Sequence, residues 1–465
     1  MIDRVEEGMS YKIKIFNILK TEACGKPLLA FVRTYGCQQN VSDSEKIKNM
    51  LLHMGYNFTD KKEEADFILF NTCSVREHAE ERVFGNLGEL KALKKQKPRL
   101  IIALCGCMME QGDIKEKIKK SFPFVNLIFG TNALNRFPEL VYETISQKKP
   151  IFCDKTNDNR KIEELQSYRE NKIKAFLPVM YGCDNFCSYC IVPYVRGREK
   201  SRELRDILKE TKTLVNYGYK EITLLGQNVN SYGKNLKQPV DFSRLLRDVT
   251  NFEGDYWVRF MTSHPKDISL ELIDEIANND KICKHLHIPF QAGSNRVLDK
   301  MNRRYTREKY LSMIENVKKR MKNVFLTSDV IVGFPGETYD DFKQTLSLIK
   351  AVRFSSLFTF IYSKRPGTLA CSMTDPVPHE EKTQWLAELL DVQRKISSQI
   401  YSDLVGTKVK VLIEDENKKR GYFVARTSGN LIVRIEGEQG MIGEFCEVKI
   451  IKCQNCVLEG AIINR

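Results

Sequence analysis

The sequence lacks long apolar runs. Across its 465 residues no stretch of eighteen apolar residues occurs, and residues 1–16 mix acidic and basic side chains. A helix that crosses a bilayer needs about twenty consecutive apolar residues, and a secretory signal needs an apolar core. We therefore predict that the chain neither spans a membrane nor is secreted.

Histidine is scarce as well, with six residues against fourteen cysteines. In a chain that is not secreted, so many cysteines favour reduced thiols and metal ligation over disulfides. We expect a cytoplasmic protein whose cysteines bind metal.

Acidic residues are outnumbered, 60 against 74 basic ones, which gives a net charge of +14. This balance suits a polyanionic partner, and nucleic acid is the first candidate. The basic residues cluster at 91–99, 115–120, 303–320 and 418–420. Any one cluster is equally typical of a solvated helix face. Hydrophobic and charged contents of 42% and 29% are those of a globular protein, and the length predicts about two to four domains.

Three cysteines within eight residues form the most informative motif, Cys183-Asp-Asn-Phe-Cys187-Ser-Tyr-Cys190. Thiolates at this spacing can bind three irons of a [4Fe–4S] cube, which leaves the fourth iron without a local protein ligand. An open metal position is typical of a site that binds a reactant. A structural zinc site would need a fourth Cys or His, and none lies within ten residues on either side. The motif therefore predicts an iron–sulfur cluster.

A second set of cysteines follows predicted strands. Residues 27–150 alternate between strand-like apolar runs at 28–32, 67–70 and 100–104 and polar helix-forming stretches, which predicts an open parallel α/β domain. Cys37, Cys73 and Cys107 each lie just after one of these strands. Because the carboxyl ends of parallel strands meet at one edge of a sheet, we expect the three thiols to converge. Taken singly, each is equally typical of a small buried side chain.

The rest of the chain predicts two further domains after a polar linker at 151–174. Residues 175–400 contain six strand–helix repeats and a trailing helix, typical of a partial (β/α)6 barrel with its active-site loops at the strand carboxyl ends. The Cys183–Cys190 loop follows the first of these strands. Residues 404–465 are β-rich and punctuated by glycine, which predicts a small antiparallel β-barrel of a kind that often binds oligonucleotides. The fold class is therefore α/β, with a C-terminal barrel.

Other candidate site residues lie at predicted strand ends or beside the cysteine loop. Gly226, Gln227 and Asn228 end one strand, and Gly333 and Glu337 end or follow another. Both segments are also compatible with ordinary turns. Arg196 and Arg198 follow the cysteine loop and can meet a carboxylate or phosphate of a substrate, although surface salt bridges are the usual role of such arginines.

Together these motifs resemble those of the radical S-adenosylmethionine (SAM) methylthiotransferases over nearly the whole chain. The matching segments include Thr34-Tyr-Gly-Cys37, Asn71-Thr-Cys73 and the run 182–199, with 105–108, 224–229, 263–265, 331–338 and 362–368. The chain most resembles the branch that acts on isopentenyladenosine beside the anticodon of tRNA. It departs from that branch at Gln39, at Ala292, and at Arg304, where glycine is common.

The resemblance implies two [4Fe–4S] clusters, one on the Cys183, Cys187 and Cys190 triad and a second on Cys37, Cys73 and Cys107. It implies SAM on the open iron, contacted by the 226–228 and 333–337 segments. It also implies that a 5′-deoxyadenosyl radical removes hydrogen from carbon 2 of adenine, where sulfur and then a methyl group are added. The C-terminal barrel would be an RNA-binding TRAM domain, with Lys418, Lys419 and Arg420 as contacts. We expect a monomer that receives electrons from a donor such as flavodoxin or ferredoxin.

Two alternatives stay open at this point. A sister methylthiotransferase would act on threonylcarbamoyladenosine in tRNA or on a ribosomal-protein aspartate. A non-catalytic iron–sulfur RNA-binding regulator would explain the charge and the barrel, but would not explain a cluster left open at one iron.

Overall fold

The computed structural model describes residues 3–22, 26–74, 77–153, 165–418 and 421–464. The chain forms two compact units, residues 1–170 with 191–197, and residues 171–190 with 198–465. The first unit thus includes a short segment, Ile191–Gly197, that follows the Cys183–Cys190 loop. Within the described ranges, no helix is both long and apolar enough to cross a membrane.

The first unit is built on a six-stranded parallel sheet in the order β2-β1-β3-β4-β5-β6. Its strands are β1 Leu28–Thr34, β2 Tyr56–Phe58, β3 Phe67–Thr72, β4 Ile101–Gly106, β5 Leu127–Ile128 and β6 Ile151–Phe152. Its helices are α1 Asp3–Glu22, α2 Gln38–His53, α3 Glu77–Gln96, α4 Gly112–Ser121, α5 Phe137–Gln147 and α6 Val192–Arg196, with 3₁₀ turns at Cys107–Glu110 and Thr131–Arg136. Every residue of β3 is buried, as expected for a central strand with both faces covered.

The first unit extends beyond the predicted domain at both ends. β5 and β6 are two residues long, too short to produce a periodic pattern, and β6 lies where we predicted the linker. Helix α1 was not predicted either, and it packs on α5 through Tyr11 and Tyr142, whose ring centroids are 5.5 Å apart. Residues 154–164 of the predicted linker lie outside the described residues.

The second unit begins with the predicted partial barrel. Its strands are β7 Lys174–Pro178, β8 Met180–Tyr181, β9 Lys200–Ser201, β10 Glu221–Leu225, β11 Trp257–Phe260, β12 His285–His287, β13 Phe325–Val332 and β14 Ser356–Ile361. Its helices are α7 Leu204–Asn216, α8 Phe242–Thr250, α9 Leu270–Asn278, α10 Asn295–Lys300, α11 Arg307–Arg320, α12 Tyr339–Val352 and α13 His379–Ser402, with 3₁₀ turns at Val229–Ser231, Pro265–Asp267 and Leu369–Ser372. Two parallel sheets, β7-β10-β11 and β12-β13-β14, are linked by the bridge between Val258 and Ile282.

The C-terminal strands close into a five-stranded barrel in the order β15-β16-β17-β19-β18. They are β15 Lys408–Asn417, β16 Tyr422–Thr427, β17 Ile432–Ile435, β18 Phe445–Gln454 and β19 Val457–Asn464. We predicted an antiparallel barrel, but β17 and β19 pair in parallel. In a closed ring of five strands, directions cannot alternate all the way round, so one pair must be parallel. β19 follows β18 through a two-residue turn formed by Asn455 and Cys456, whose φ values are 50° and 57°.

The C-terminal barrel packs against the amino-terminal ends of the β/α barrel strands within the second unit. Arg259 on β11 donates to Glu221 Oε2 at 2.8 and 3.0 Å, and also to the backbone oxygens of Thr427 and Ser428 at 3.3 and 3.1 Å. Trp257 meets Phe445 edge to face at 4.8 Å. One buried guanidinium thus neutralises a carboxylate and binds two carbonyls of the neighbouring domain.

We predict that Arg259→Met destabilises the second unit by about 3–5 kcal/mol, because it leaves the Glu221 carboxylate buried and unpaired. Lys410→Met is the matched control, since its 3.1 Å ion pair with Asp255 is half exposed and such pairs contribute about 1 kcal/mol or less. The measurement is the thermal unfolding midpoint of each full-length variant. Equal shifts in the two variants would contradict this interpretation of the interface.

Candidate functional site

The structure brings Cys37, Cys73 and Cys107 to one edge of the first sheet. β1, β3 and β4 are adjacent, and the three cysteines follow their carboxyl ends. Cys37 is the N-cap residue of α2, and Cys107 opens a 3₁₀ turn. Cys73 and Cys107 are each 3% exposed, whereas Cys37 is exposed. The triad therefore lies mostly inside the unit, with one side open.

A buried amide network holds two of the three loops together. Asn40 Nδ2 donates to Asn71 Oδ1 at 3.2 Å and to the Thr72 backbone oxygen at 2.8 Å. Asn71 Nδ2 donates in return to the Asn40 backbone oxygen at 2.8 Å. Asn40 Oδ1 also accepts from the Cys37 thiol at 3.4 Å. These bonds position the loop after β1 against the loop after β3.

Glycine precedes two of the three cysteines because the loops approach each other closely. Gly36 has φ of +132°, and a Cβ there would lie 2.7 Å from Cys73 Cβ. Gly106 has φ of +99°, and a Cβ there would lie 2.3 Å from the Thr72 backbone oxygen. Only glycine fits a positive φ this close to another backbone.

Arg196 on α6 is part of this first site. Its side chain is 6% exposed. Its Nε donates to Cys107 Sγ at 3.0 Å, and its Nη2 donates to Asn40 Oδ1 at 2.9 Å and to Asp43 Oδ2 at 3.2 Å. The Arg196 guanidinium, predicted to contact substrate, is thus buried against protein partners in this structure.

The second triad lies in the loop after β8. Cys183 and Cys187 are each 8% exposed, and Cys190 is partly exposed. Asn185 Nδ2 donates to Cys183 Sγ at 3.5 Å, and the Cys190 amide donates to the Cys187 backbone oxygen at 2.9 Å. These short-range bonds fold the loop back so that its cysteines cluster at the carboxyl end of the barrel.

Arg303 is the counterpart of Arg196 at the second triad. It is 4% exposed, and its Nη1 donates to Cys187 Sγ at 3.3 Å. Its Nη2 donates to the Pro289 backbone oxygen at 2.7 Å, and its Nε donates to the Tyr305 hydroxyl at 3.2 Å. The sequence suggested a solvated helix face for the basic cluster that begins here, and for Arg303 that interpretation is wrong.

The predicted SAM contacts at the end of β10 divide into structural and unpaired groups. Gly226 has no room for a Cβ, which would lie 2.5 Å from Met180 Cγ. Asn228 donates to Asp267 Oδ2 at 2.9 Å and accepts from the His264 amide at 3.1 Å, so its amide ties two loops together. By contrast, Gln227 Oε1 is buried and accepts no hydrogen bond from the described residues.

Gly333 and Glu337 form a closed turn at the end of β13. Gly333 has φ of +70°, and a Cβ there would collide with the Lys382 side chain at 2.3 Å. Glu337 Oε2 accepts from the amides of Gly333 and Phe334 at 2.6 and 3.0 Å. Burial raises the pKa of Glu337 to about 7, although both amides lower it. These contacts make both residues parts of the turn.

The predicted substrate contacts outside the triads are exposed or lie outside the described residues. Arg198 is 73% exposed, pairs with Asp184 Oδ1 at 3.3 Å and lies 4.7 Å above the Phe186 ring. Lys418 is exposed at the end of β15. Lys419 and Arg420 lie outside the described residues.

The donor chemistry of both triads fits iron–sulfur clusters. Burial raises the pKa of Cys107 to about 12, with Arg196 opposing it, and raises that of Cys183 to about 11. Buried thiols of this kind ionise when a metal binds, which releases their protons. Close in sequence to the first triad, buried oxygens of Gln39 and Ser42 on α2 and of Ser74 have no hydrogen-bond partner among the described residues.

No group of three His, Cys, Asp or Glu side chains in the described part of the chain is arranged to hold a single metal ion. In a [4Fe–4S] cube each thiolate binds a different iron, so the thiolates stand further apart than around one ion.

Several residues of these sites were missed from the sequence. Asn40, Asp43 and Asn71 lie inside the motifs that carry the cysteines, and Arg303 lies in a basic cluster. Polar residues beside each cysteine were the only available signal. Asparagine and arginine are common on surfaces, so that signal was weak.

Comparison with protein families matches three segments of the chain. Residues 30–130 match the uncharacterized protein family UPF0004, residues 177–349 match the Radical SAM superfamily, and residues 403–463 match the TRAM domain. The fold class predicted from the sequence is confirmed by these matches and by the closed C-terminal barrel.

Curated relatives match nearly the whole chain. Proteins named tRNA-2-methylthio-N(6)-dimethylallyladenosine synthase include one from Thermoanaerobacter pseudethanolicus, 47% identical over 460 residues and covering 98% of each chain. A second, from Clostridium tetani, is 49% identical over 434 residues, covering 92% of this chain and 95% of the relative.

Solved structures share the fold at low sequence identity. The radical S-adenosylmethionine methyltransferase TsrM from Kitasatospora setae, with cobalamin and a [4Fe–4S] cluster bound, aligns with a TM-score of 0.55 at 13% identity, covering 74% of each chain. Apo OxsB, a cobalamin-dependent S-adenosylmethionine radical enzyme, aligns with a TM-score of 0.54 at 12% identity, covering 82% of this chain and 58% of the other.

We predict that Arg304→Gly stabilises the protein by about 1 kcal/mol, because Arg304 has φ of +58°, a conformation that is strained for residues with a Cβ. This explains why glycine is common there in the family that the sequence resembles. Arg304→Ala is the matched control, since it removes the same charge but keeps the Cβ. The measurement is the urea unfolding midpoint, and an equal gain in both variants would attribute the effect to charge.

Proposed function

The chain belongs to the family of the tRNA-2-methylthio-N(6)-dimethylallyladenosine synthases, and we propose that it adds a methylthio group to carbon 2 of N(6)-isopentenyladenosine beside the anticodon of tRNA. The observation that carries this proposal is identity of 47% over 98% of the chain with relatives of that name. The sister methylthiotransferases and the non-catalytic regulator are not favoured, because these relatives bear neither name.

Cys183, Cys187 and Cys190 would hold the cluster that binds SAM. When bound, the cluster and SAM supply a 5′-deoxyadenosyl radical, the species able to break a strong C–H bond. The protein contributes orientation and exclusion of water. Arg303 would help to orient the Cys187 side chain, because its Nη1 donates to Cys187 Sγ at 3.3 Å.

Gln227 Oε1 is the group that we propose for SAM recognition at the end of β10. It is a buried acceptor with no donor among the described residues, and a buried acceptor without a partner costs free energy. The ammonium group of the methionyl part of SAM is a hydrogen-bond donor that could pair with this amide oxygen. Gly226, Asn228, Gly333 and Glu337 would then shape the loops without contacting the cofactor.

Cys37, Cys73 and Cys107 would hold a second [4Fe–4S] cluster. Their convergence at one sheet edge, with Cys37 exposed, supports a metal there. Two triads suit two tasks, since one cluster serves radical formation and the other can bring sulfur to carbon 2.

tRNA is the macromolecular substrate in this proposal. A TRAM match at residues 403–463 and a net charge of +14 support a polyanionic partner. Lys418, Lys419 and Arg420, and Arg198 beside the second triad, are the proposed contacts with RNA. We further propose a cytoplasmic monomer reduced by flavodoxin or ferredoxin.

We predict that Cys187→Ala abolishes the modification in cells. In a strain lacking the gene, the wild-type chain should restore 2-methylthio-isopentenyladenosine in bulk tRNA, whereas the variant should leave isopentenyladenosine accumulated, because one iron loses its ligand. Mass spectrometry of tRNA nucleosides makes the measurement.

Cys456→Ala, in the terminal hairpin, is the matched control and should restore the product. Unchanged 2-methylthio-isopentenyladenosine in the deleted strain would refute the substrate. Loss of a methylthio group from another residue would identify a sister enzyme.

The two-cluster proposal predicts the iron content of anaerobically reconstituted protein. Alanine at all three residues of either triad should remove about half of the iron and acid-labile sulfide, and alanine at all six should remove nearly all of it. Cys105→Ala should retain the wild-type content, since Cys105 is a core residue of β4 whose pKa burial raises well above the ordinary value. If alanine at Cys183, Cys187 and Cys190 alone removed all of the iron, a separate cluster on Cys37, Cys73 and Cys107 would be contradicted.

A further inference from the structure

The segment that carries Arg196 belongs to the first unit, although the chain has just left the second triad. Ile191 and Val195 pack against Cys107 in one buried cluster. Thr131 Oγ1 donates to the Val195 backbone oxygen at 2.9 Å and anchors α6 to the first unit. The backbone that positions Arg196 is therefore fixed independently of the arginine side chain.

The guanidinium of Arg196 is directed at the first triad by three contacts. Asp43 Oδ2 at 3.2 Å and Asn40 Oδ1 at 2.9 Å both hold Nη2, and Nε has Cys107 Sγ at 3.0 Å as its partner. A buried cation needs anionic partners to offset its lost hydration. The Cys107 sulfur is thus one of the partners of the buried guanidinium. Asp43 and Asn40 orient the guanidinium so that its Nε–H points at this sulfur.

An N–H that donates to a cluster ligand changes the electronic properties of the cluster. Hydrogen bonds to sulfur and nearby positive charge stabilise the more negative, reduced form, and outer residues of this kind tune reduction potentials. Arg303 makes a comparable contact with Cys187 but shares its donors with Tyr189, Tyr305 and Pro289. At Arg196, by contrast, Nε has the thiol sulfur as its partner.

We propose that Arg196 is a positioning residue for the [4Fe–4S] cluster on Cys37, Cys73 and Cys107 (the first cluster), and that its hydrogen bond to Cys107 raises the reduction potential of that cluster. This proposal rests on the presence of that cluster, which is part of the proposed function. It replaces the substrate contact predicted for Arg196 with a role in the redox state of the cluster that would deliver sulfur.

The test uses full-length protein in which Cys183, Cys187 and Cys190 are alanine, so that only the first cluster gives a signal. Its midpoint potential is measured by a redox titration followed by electron paramagnetic resonance. Arg196→Met removes both charge and donors, and should lower the midpoint. Arg196→Gln keeps a neutral N–H donor and should fall between Met and wild type. Arg198→Met, which removes an exposed arginine two residues away, should leave the midpoint unchanged.

Each outcome decides a different point. A cluster signal with the same midpoint in Arg196→Met and wild type would overturn the role of Arg196. If Arg196→Met binds no iron, the Arg196→Gln midpoint decides, and a wild-type value there would equally overturn it. Absence of any cluster in the triple-alanine parent would instead refute the [4Fe–4S] cluster that the proposed function assigns to Cys37, Cys73 and Cys107.

Discussion

The carboxyl ends of parallel strands are the constraint on which both candidate sites depend. Parallel strands place all their following loops on one edge, so residues far apart in sequence meet there. Cys37, Cys73 and Cys107 span seventy residues of chain yet follow three adjacent strands. The second triad is local in sequence, but its loop also follows the first barrel strand. One architectural rule thus produces both sites.

Burying thiols at these edges creates an electrostatic problem that arginine solves twice. A thiolate in a poorly solvated loop needs a cation or donor nearby, and burial is the main reason why the pKa of Cys107 is raised to about 12. Arg196 and Arg303 each direct an N–H at one sulfur, at 3.0 and 3.3 Å. Arg259 applies the same principle at the interface with the C-terminal barrel, where it pairs with Glu221. Buried arginines therefore serve both the cysteine triads and the packing of the C-terminal barrel within the second unit.

Much of the fold could be predicted because its strands are long and apolar. β1, β3 and β4 were predicted at 28–32, 67–70 and 100–104, close to the bounds that the structure has, and Cys37, Cys73 and Cys107 follow them as predicted. Short elements such as β6 were missed, since two residues carry no periodicity. The packing of Gly226 and Asn228 could not be predicted, because a glycine or asparagine at a strand end looks the same whether it faces a ligand or another loop. Only the Met180 and Asp267 side chains distinguish the two cases.

The sequence by itself determined which chemistry each triad can support, because ligand type and spacing decide which metal group a triad can hold. It also determined the order of the three domains, which follows from local periodicity and turn residues. Only the tertiary structure decided which polar side chains serve those ligands. Arg196 on α6 donates to Cys107, and Asn40 and Asp43, which lie on α2, hold the Arg196 guanidinium in place. Hydrogen bonds of this kind depend on distances and angles between segments, which no local pattern of residues encodes.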